Sequence, residues 1–220
     1  QGVTFDRIPC DRTGRLNPAD IPAMIKPNTR LLVMAHGSNV SGTVQDAVAV
    51  GAICREHGIP FVLDAAQTAG HYPVDFKAMN LSALSMPGHK GLMGPSGIGV
   101  LLLSHDFAQK LTPIIAGGTG SASDSEAQPN YMPDKFESGT PNVPGIYGLQ
   151  AAVDFILSTG VDAMQRREQE LTKRFLDGLR DVKGIRLAGS WELTRRVGVI
   201  SVDFETIDNA EAAYQLEQDY

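Results

Sequence analysis

Lys90 sits in the run Ser85-Met86-Pro87-Gly88-His89-Lys90-Gly91, just after an apolar stretch. Upstream, Asp64 and Gln67 follow a second apolar stretch, Phe61-Val62-Leu63. A lysine amine condenses with an aldehyde to a Schiff base. A carboxylate can keep a pyridine nitrogen protonated and so make the ring an electron sink. A side-chain amide can hydrogen-bond a ring oxygen. Lysine, carboxylate and amide together are what pyridoxal 5′-phosphate chemistry needs. One lysine alone would say little, because most lysines are solvated surface charges. The constellation carries the argument.

The elements around these residues give them a common place. Apolar runs bounded by Gly, Asn and Pro predict buried strands over 31–35, 61–63, 81–86 and 98–103. Helical spacing of Val44, Ala47, Val48, Gly51 and Ala52 predicts a helix between the first two. Ser41 or Thr43 is its expected cap and Gly58 its expected stop. Strands alternating with helices indicate an α/β fold, with a mainly parallel sheet largely covered on both faces. Ligands of such sheets bind beyond the carboxyl ends of the strands. Asn39, Asp64 and Lys90 all follow such ends.

Further on, a polar stretch from Gly117 to Pro144 reads as a long loop. Helices are expected over 144–158 and 161–182, strands over 185–187 and 197–204, and a last helix from 210. This organisation predicts part of a large domain over 1–171 and the start of a smaller α+β domain over 172–220, which stops at Tyr220 in or just after a helix. Lys173, Arg174, Arg166 and Arg167 lie among acids on a helix and read as a solvated face.

Bulk properties narrow the function classes. Of the 220 residues, 42% are hydrophobic and 20% charged, as in ordinary globular proteins. A net charge of −6 argues against a general nucleic-acid surface. Two cysteines, Cys10 and Cys54, make no disulfide framework, and no Cys/His spacing matches a metal site. Cys54 is expected to be packed in its helix, and Cys10 has no neighbour that clearly activates it. His57 and His71 read as structural. No apolar run is long enough to cross a bilayer, and residues 1–6 do not resemble a signal peptide. These features suggest a cytoplasmic protein without membrane or nucleic-acid partners.

Four motifs resemble class V aminotransferases, which are pyridoxal 5′-phosphate enzymes of fold type I. They are His36-Gly37-Ser38-Asn39-Val40-Ser41-Gly42-Thr43, Asp64-Ala65-Ala66-Gln67, Gly88-His89-Lys90-Gly91 with Gly94-Pro95-Ser96-Gly97, and Phe136-Glu137-Ser138-Gly139-Thr140-Pro141-Asn142. Within the class, the sequence is most similar to the cysteine desulfurase and selenocysteine lyase branch, in order along essentially the whole chain.

The resemblance implies that Lys90 carries the cofactor and moves the α-proton of the substrate. Asp64 would pair with the pyridine nitrogen, Gln67 with the ring hydroxyl oxygen, and His89 with the phosphate. Thr140 would reach the phosphate of a neighbouring subunit, which implies a homodimer. Asn39 would contact the substrate carboxylate or the ring oxygen. Each has a plainer reading: Asp64, Asn39 and Thr140 as turn residues, Gln67 as a capping glutamine, His89 as a histidine packed in a turn. Where the family pattern has Ser or Thr, two residues before the histidine, this chain has Pro87. One phosphate donor is lost there, worth about 1 kcal/mol or somewhat more; backbone amides can replace it.

The implied reaction takes L-cysteine to L-alanine and passes sulfur on as a persulfide, with a sulfur-acceptor protein as a possible partner. The alternatives are an aminotransferase, epimerase or β-lyase acting on another amino acid, and a non-catalytic scaffold subunit. The family's remaining parts are a phosphate-binding turn and stacking ring upstream, and a nucleophilic cysteine and carboxylate-binding arginine downstream. They are expected outside these 220 residues. The expectation is therefore a partial chain with half a site and no turnover by itself.

Overall fold

A computed structural model describes residues 2–122 and 124–219. Tyr220, the expected stopping point of the last helix, lies outside the described residues, as do Gln1 and Ser123. Four strands form the main sheet in the order β1 (Leu32–Ala35), β2 (Phe61–Asp64), β3 (Ala83–Pro87) and β4 (Gly99–Leu103). The first three run parallel, and β4 lies antiparallel against β3. The register sets Ala35 beside Asp64 and Asp64 beside Ser85, which itself pairs with Leu101.

Side chains alternate across the pleat, so paired residues share a face. Met34, Leu63 and Leu84 point into the core, where they join Phe61, Leu16, Ile21 and the buried residues Ala47, Val50 and Cys54. A short turn at Pro18–Asp20 leads into α1 (Ile21–Met24), and α2 spans Ala47–Glu56. The neighbouring row, Ala35–Asp64–Ser85–Leu101, is exposed. On the face away from α2, Val33 is 63% exposed and Leu101 is 56% exposed.

The helix boundaries also refine the reading. The cap of α2 is Asp46, whose carboxylate accepts from the Ala49 N–H at 3.0 Å, rather than Ser41 or Thr43. Thr43 is buried and donates its hydroxyl to the Thr13 carbonyl instead. The stop is as expected: Gly58 takes a positive φ of 64° just past the helix. Gly51 is the point of closest approach, since a Cβ there would lie 1.9 Å from the Met79 carbonyl oxygen. In an open helix, Gly→Ala gains about 1 kcal/mol. At Gly51 the collision reverses the sign, and Gly51→Ala is expected to lose about 1–3 kcal/mol. A urea midpoint equal to or above that of the parent would contradict this.

Beyond β4, α3 spans His105–Lys110, and buried Lys135 donates its ammonium to the Ala108 carbonyl at 2.9 Å, near the end of that helix. The described part of the long polar stretch carries no helix or strand before Val143, where the next helix begins. α4 (Val143–Thr159) and α5 (Val161–Leu179) meet at Gly160, whose φ of 85° suits glycine. A small antiparallel pair, β5 (Ile185–Ala188) and β6 (Ser201–Phe204), precedes α6 (Asn209–Asp219). In α5 the buried residues are Thr172 and Leu176, whereas Leu171 and Phe175 stay about half exposed.

Candidate functional site

The site grows from the carboxyl ends of β1, β2 and β3. Asp64 ends β2 with its side chain on the exposed row. One carboxylate oxygen accepts from the Ala66 N–H at 2.9 Å, which fixes the carboxylate at the start of a tight turn. That turn winds through Thr68, Ala69 and Tyr72, whose N–H groups donate to Ala65 and Thr68 carbonyls. Gln67 lies on it, half-buried.

His36, just past β1, supports this turn from beneath. Its N–H donates to the Asp64 carbonyl at 2.8 Å, and its Nδ1 lies 3.0 Å from the Thr68 hydroxyl. Its ring meets Tyr72 edge-on at 5.6 Å. Burial lowers the His36 pKa to about 4, so the imidazole is neutral at pH 7. Asn39 lies exposed in the following loop, which is closed by the Ser38 N–H on the Thr43 carbonyl.

Lys90 and His89 are exposed in the connection between β3 and β4. This connection is a hairpin, not the helical crossover that alternating strands and helices would supply. Its frame is made by Gly88 N–H to Ile98 carbonyl (2.9 Å), Gly94 N–H to Gly88 carbonyl (2.7 Å) and Met93 N–H to Lys90 carbonyl (2.8 Å). Gly88 is required where it stands, because a Cβ would lie 2.7 Å from Ile98 Cγ2. Helix α4 braces the hairpin: Leu149 packs on Gly94, and Asn142 donates to the Gly97 carbonyl at 3.2 Å. Thr140 stands two residues before that anchor, exposed.

The parallel register thus sets Asp64 beside the start of the Lys90 connection, with Gln67 on the turn that follows Asp64. An amine, a carboxylate, an amide and an imidazole occupy one edge of the sheet. The sequence profile described as Aminotransferase class-V matches residues 1–219. The chain belongs to this family.

Class V aminotransferases depend on pyridoxal 5′-phosphate. The relatives of this member are specific. A protein of Pyrococcus abyssi (strain GE5 / Orsay) named "Probable cysteine desulfurase" is 34% identical over 99% of this chain and 54% of its own length. A "Cysteine desulfurase" of Klebsiella pneumoniae is 36% identical over 91% of this chain and 49% of its own. The apo structure of a cysteine desulfurase from Thermococcus onnurineus NA1 superposes with a TM-score of 0.88 at 33% identity, over 97% of this chain and 53% of that one. The chain therefore spans about half the length of the curated relatives it matches, and its fold is that of fold type I.

Other residues take the plainer roles. Cys54 is buried and its thiol is pushed up to about 11 by burial, so it is no thiolate at pH 7. Cys10 is exposed. His57 bonds the Ile53 carbonyl at 3.0 Å. His71 lies 2.9 Å from Glu168, a residue that sequence reasoning passed over because its helix is dense in charge. A usable signal existed. Glu168, Thr172 and Leu176 recur every four residues, which marks one helix face. The expected solvated face holds for Arg166, Arg167, Lys173 and Arg174, all exposed.

Proposed function

We propose that the protein carrying this chain is a pyridoxal 5′-phosphate-dependent cysteine desulfurase that works as a homodimer. Asp64 and Lys90 at the ends of adjacent strands carry this reading, in a chain 34% and 36% identical to proteins named for that activity. Residues 1–171 would form the cofactor-binding part, and 172 onward the start of a smaller domain.

In this reading Lys90 holds the cofactor and moves the proton at the substrate α-carbon. Asp64 keeps the ring nitrogen protonated, and its fixed geometry, held by the Ala66 N–H, avoids reorganisation during the reaction. Gln67 bonds the ring oxygen. His89 and the hairpin's backbone amides hold the phosphate, as Pro87 offers no hydroxyl. Thr140 serves the phosphate of the neighbouring subunit, and Asn39 the substrate carboxylate or the ring oxygen. The bound cofactor supplies the electron sink that makes the α-proton acidic. The substrate C–S bond breaks, a thiol outside these residues becomes a persulfide, and its proton ends on the alanine methyl.

The test is product release from L-cysteine by the longest natural protein that contains this chain, with cofactor and a reducing thiol. Equal amounts of alanine and sulfide are expected. A cofactor absorbance band without sulfide would assign the reaction to another member of the class. No band at all would favour a scaffold subunit.

A further inference from the structure

Glu168 of α5 joins parts of the chain that its sequence position does not suggest. One carboxylate oxygen lies 2.9 Å from His71 Nδ1, and the other accepts the Gly198 N–H at 2.7 Å. Burial alone would raise this carboxyl, but the bonds from His71 and Gly198 outweigh it and hold the pKa below the ordinary value. The group is thus a half-buried carboxylate with a fixed partner on each oxygen.

Both partners lead to the site. His71 ends the turn that carries Gln67, and its ring edge lies against Gly91, the neighbour of Lys90. A Cβ on Gly91 would lie 2.4 Å from His71 Cδ2 and 2.4 Å from the Ala69 carbonyl. A Cβ on Gly70 would lie 2.1 Å from the Gly91 carbonyl oxygen. The chain beside Lys90 is thus packed closely against His71 and the Ala69 carbonyl.

Gly198 lies in a segment that runs along the Asn39 loop. Val197 N–H donates to Gly42, Val44 N–H to Arg195, and the Ser201 hydroxyl to Val40 at 2.7 Å. Buried Arg196 stiffens the segment by donating to the Ser190 and Val199 carbonyls. Through one carboxylate, the strip beside Asn39 is bound to the turn that walls in Lys90.

We propose that Glu168 is a positioning residue for Lys90, clamping His71 against Gly91 and locking that contact to the Asn39 side at Gly198. The proposal rests on the reading of Lys90 as the cofactor lysine. The residue touches neither cofactor nor substrate; it acts through His71 and Gly91.

The test uses the longest natural protein that contains this chain, loaded with pyridoxal 5′-phosphate. Two readouts are taken: visible circular dichroism of the bound cofactor, and the rate at which cofactor escapes to a trapping amine. Glu168→Ala is expected to weaken the dichroic band and speed escape about tenfold, the scale of one lost charged hydrogen bond. Glu168→Gln, which can still bridge His71 and Gly198, is expected to stay within about twofold of the parent. Parent-like dichroism and escape in Glu168→Ala would overturn the proposal, as would equal losses in both variants. If Glu168→Ala does not fold, His71→Ala breaks only the arm toward Lys90 and must give the same dichroic change. The underlying reading fails separately, if borohydride reduction labels a residue other than Lys90 in the parent.

Discussion

Lys90→Ala is expected to lower alanine and sulfide release from L-cysteine by at least about 10²–10⁴-fold, the range of one lost acid–base group. Loss of the covalent anchor adds to this. The same substitution should hardly touch the fold. Lys90 is exposed, and the hairpin around it is framed by backbone bonds from Gly88, Met93 and Gly94. Surface changes of this kind fall within about 0.5 kcal/mol. Activity and stability must therefore part company, with turnover lost and the urea midpoint kept. Lys90→Arg sharpens the comparison. A guanidinium keeps the charge and length but stays protonated, so it can neither condense with an aldehyde nor accept a proton. It should be as inactive as alanine. Parent-like turnover in either variant would remove Lys90 from the reaction.

Mild acid is expected to weaken the fold through His36. Unfolded, this histidine titrates near its ordinary value of 6.5; folded, burial holds it at about 4. Between those values the unfolded chain binds more protons, so stability rises with pH. The contribution is whole above pH 6.5 and is lost as pH falls toward 4, about 3 kcal/mol in all and about 2 kcal/mol by pH 5. Set against a typical total of about 5–15 kcal/mol, that is a large share. His36→Asn keeps a polar group near Thr68 but cannot titrate in this window. Urea midpoints at pH 7 and pH 5 should differ in the parent much more than in His36→Asn. Equal differences would mean that His36 can take a proton without unfolding the turn it supports. Glu168, whose carboxyl lies below its ordinary value, loses its contribution only as pH falls further.

The strand ends were readable because a short apolar run closed by a polar residue has few other solutions. Asp64 and Lys90 could each be set just after a strand end without any tertiary information. The direction of β4 could have been read as well. The eleven residues between β3 and β4 are too few for a parallel crossover, which needs about a dozen or more. The cap of α2 was misread for a physical reason: Ser41, Thr43 and Asp46 are all good caps, and only tertiary contact decides among them. Thr43 was taken by Thr13, which left Asp46. Glu168 was passed over in a helix dense in charge, and its partners, 97 and 30 residues away, gave no local sign of it.

The hairpin between β3 and β4 also bears on how the site assembles in time. Its closing bond joins Gly88 and Ile98, a loop of the size that closes in about 10–100 ns. The frame around Lys90 depends on contacts near in sequence, while Glu168 must wait for a partner far along the chain. Low contact order forms early. A growing polypeptide that has reached Leu103 already holds every residue of the lysine's immediate frame. The clamp from Glu168 arrives only after α5 and the Gly198 segment have emerged. Reactive amine first, restraint last, is the order that this topology imposes on synthesis.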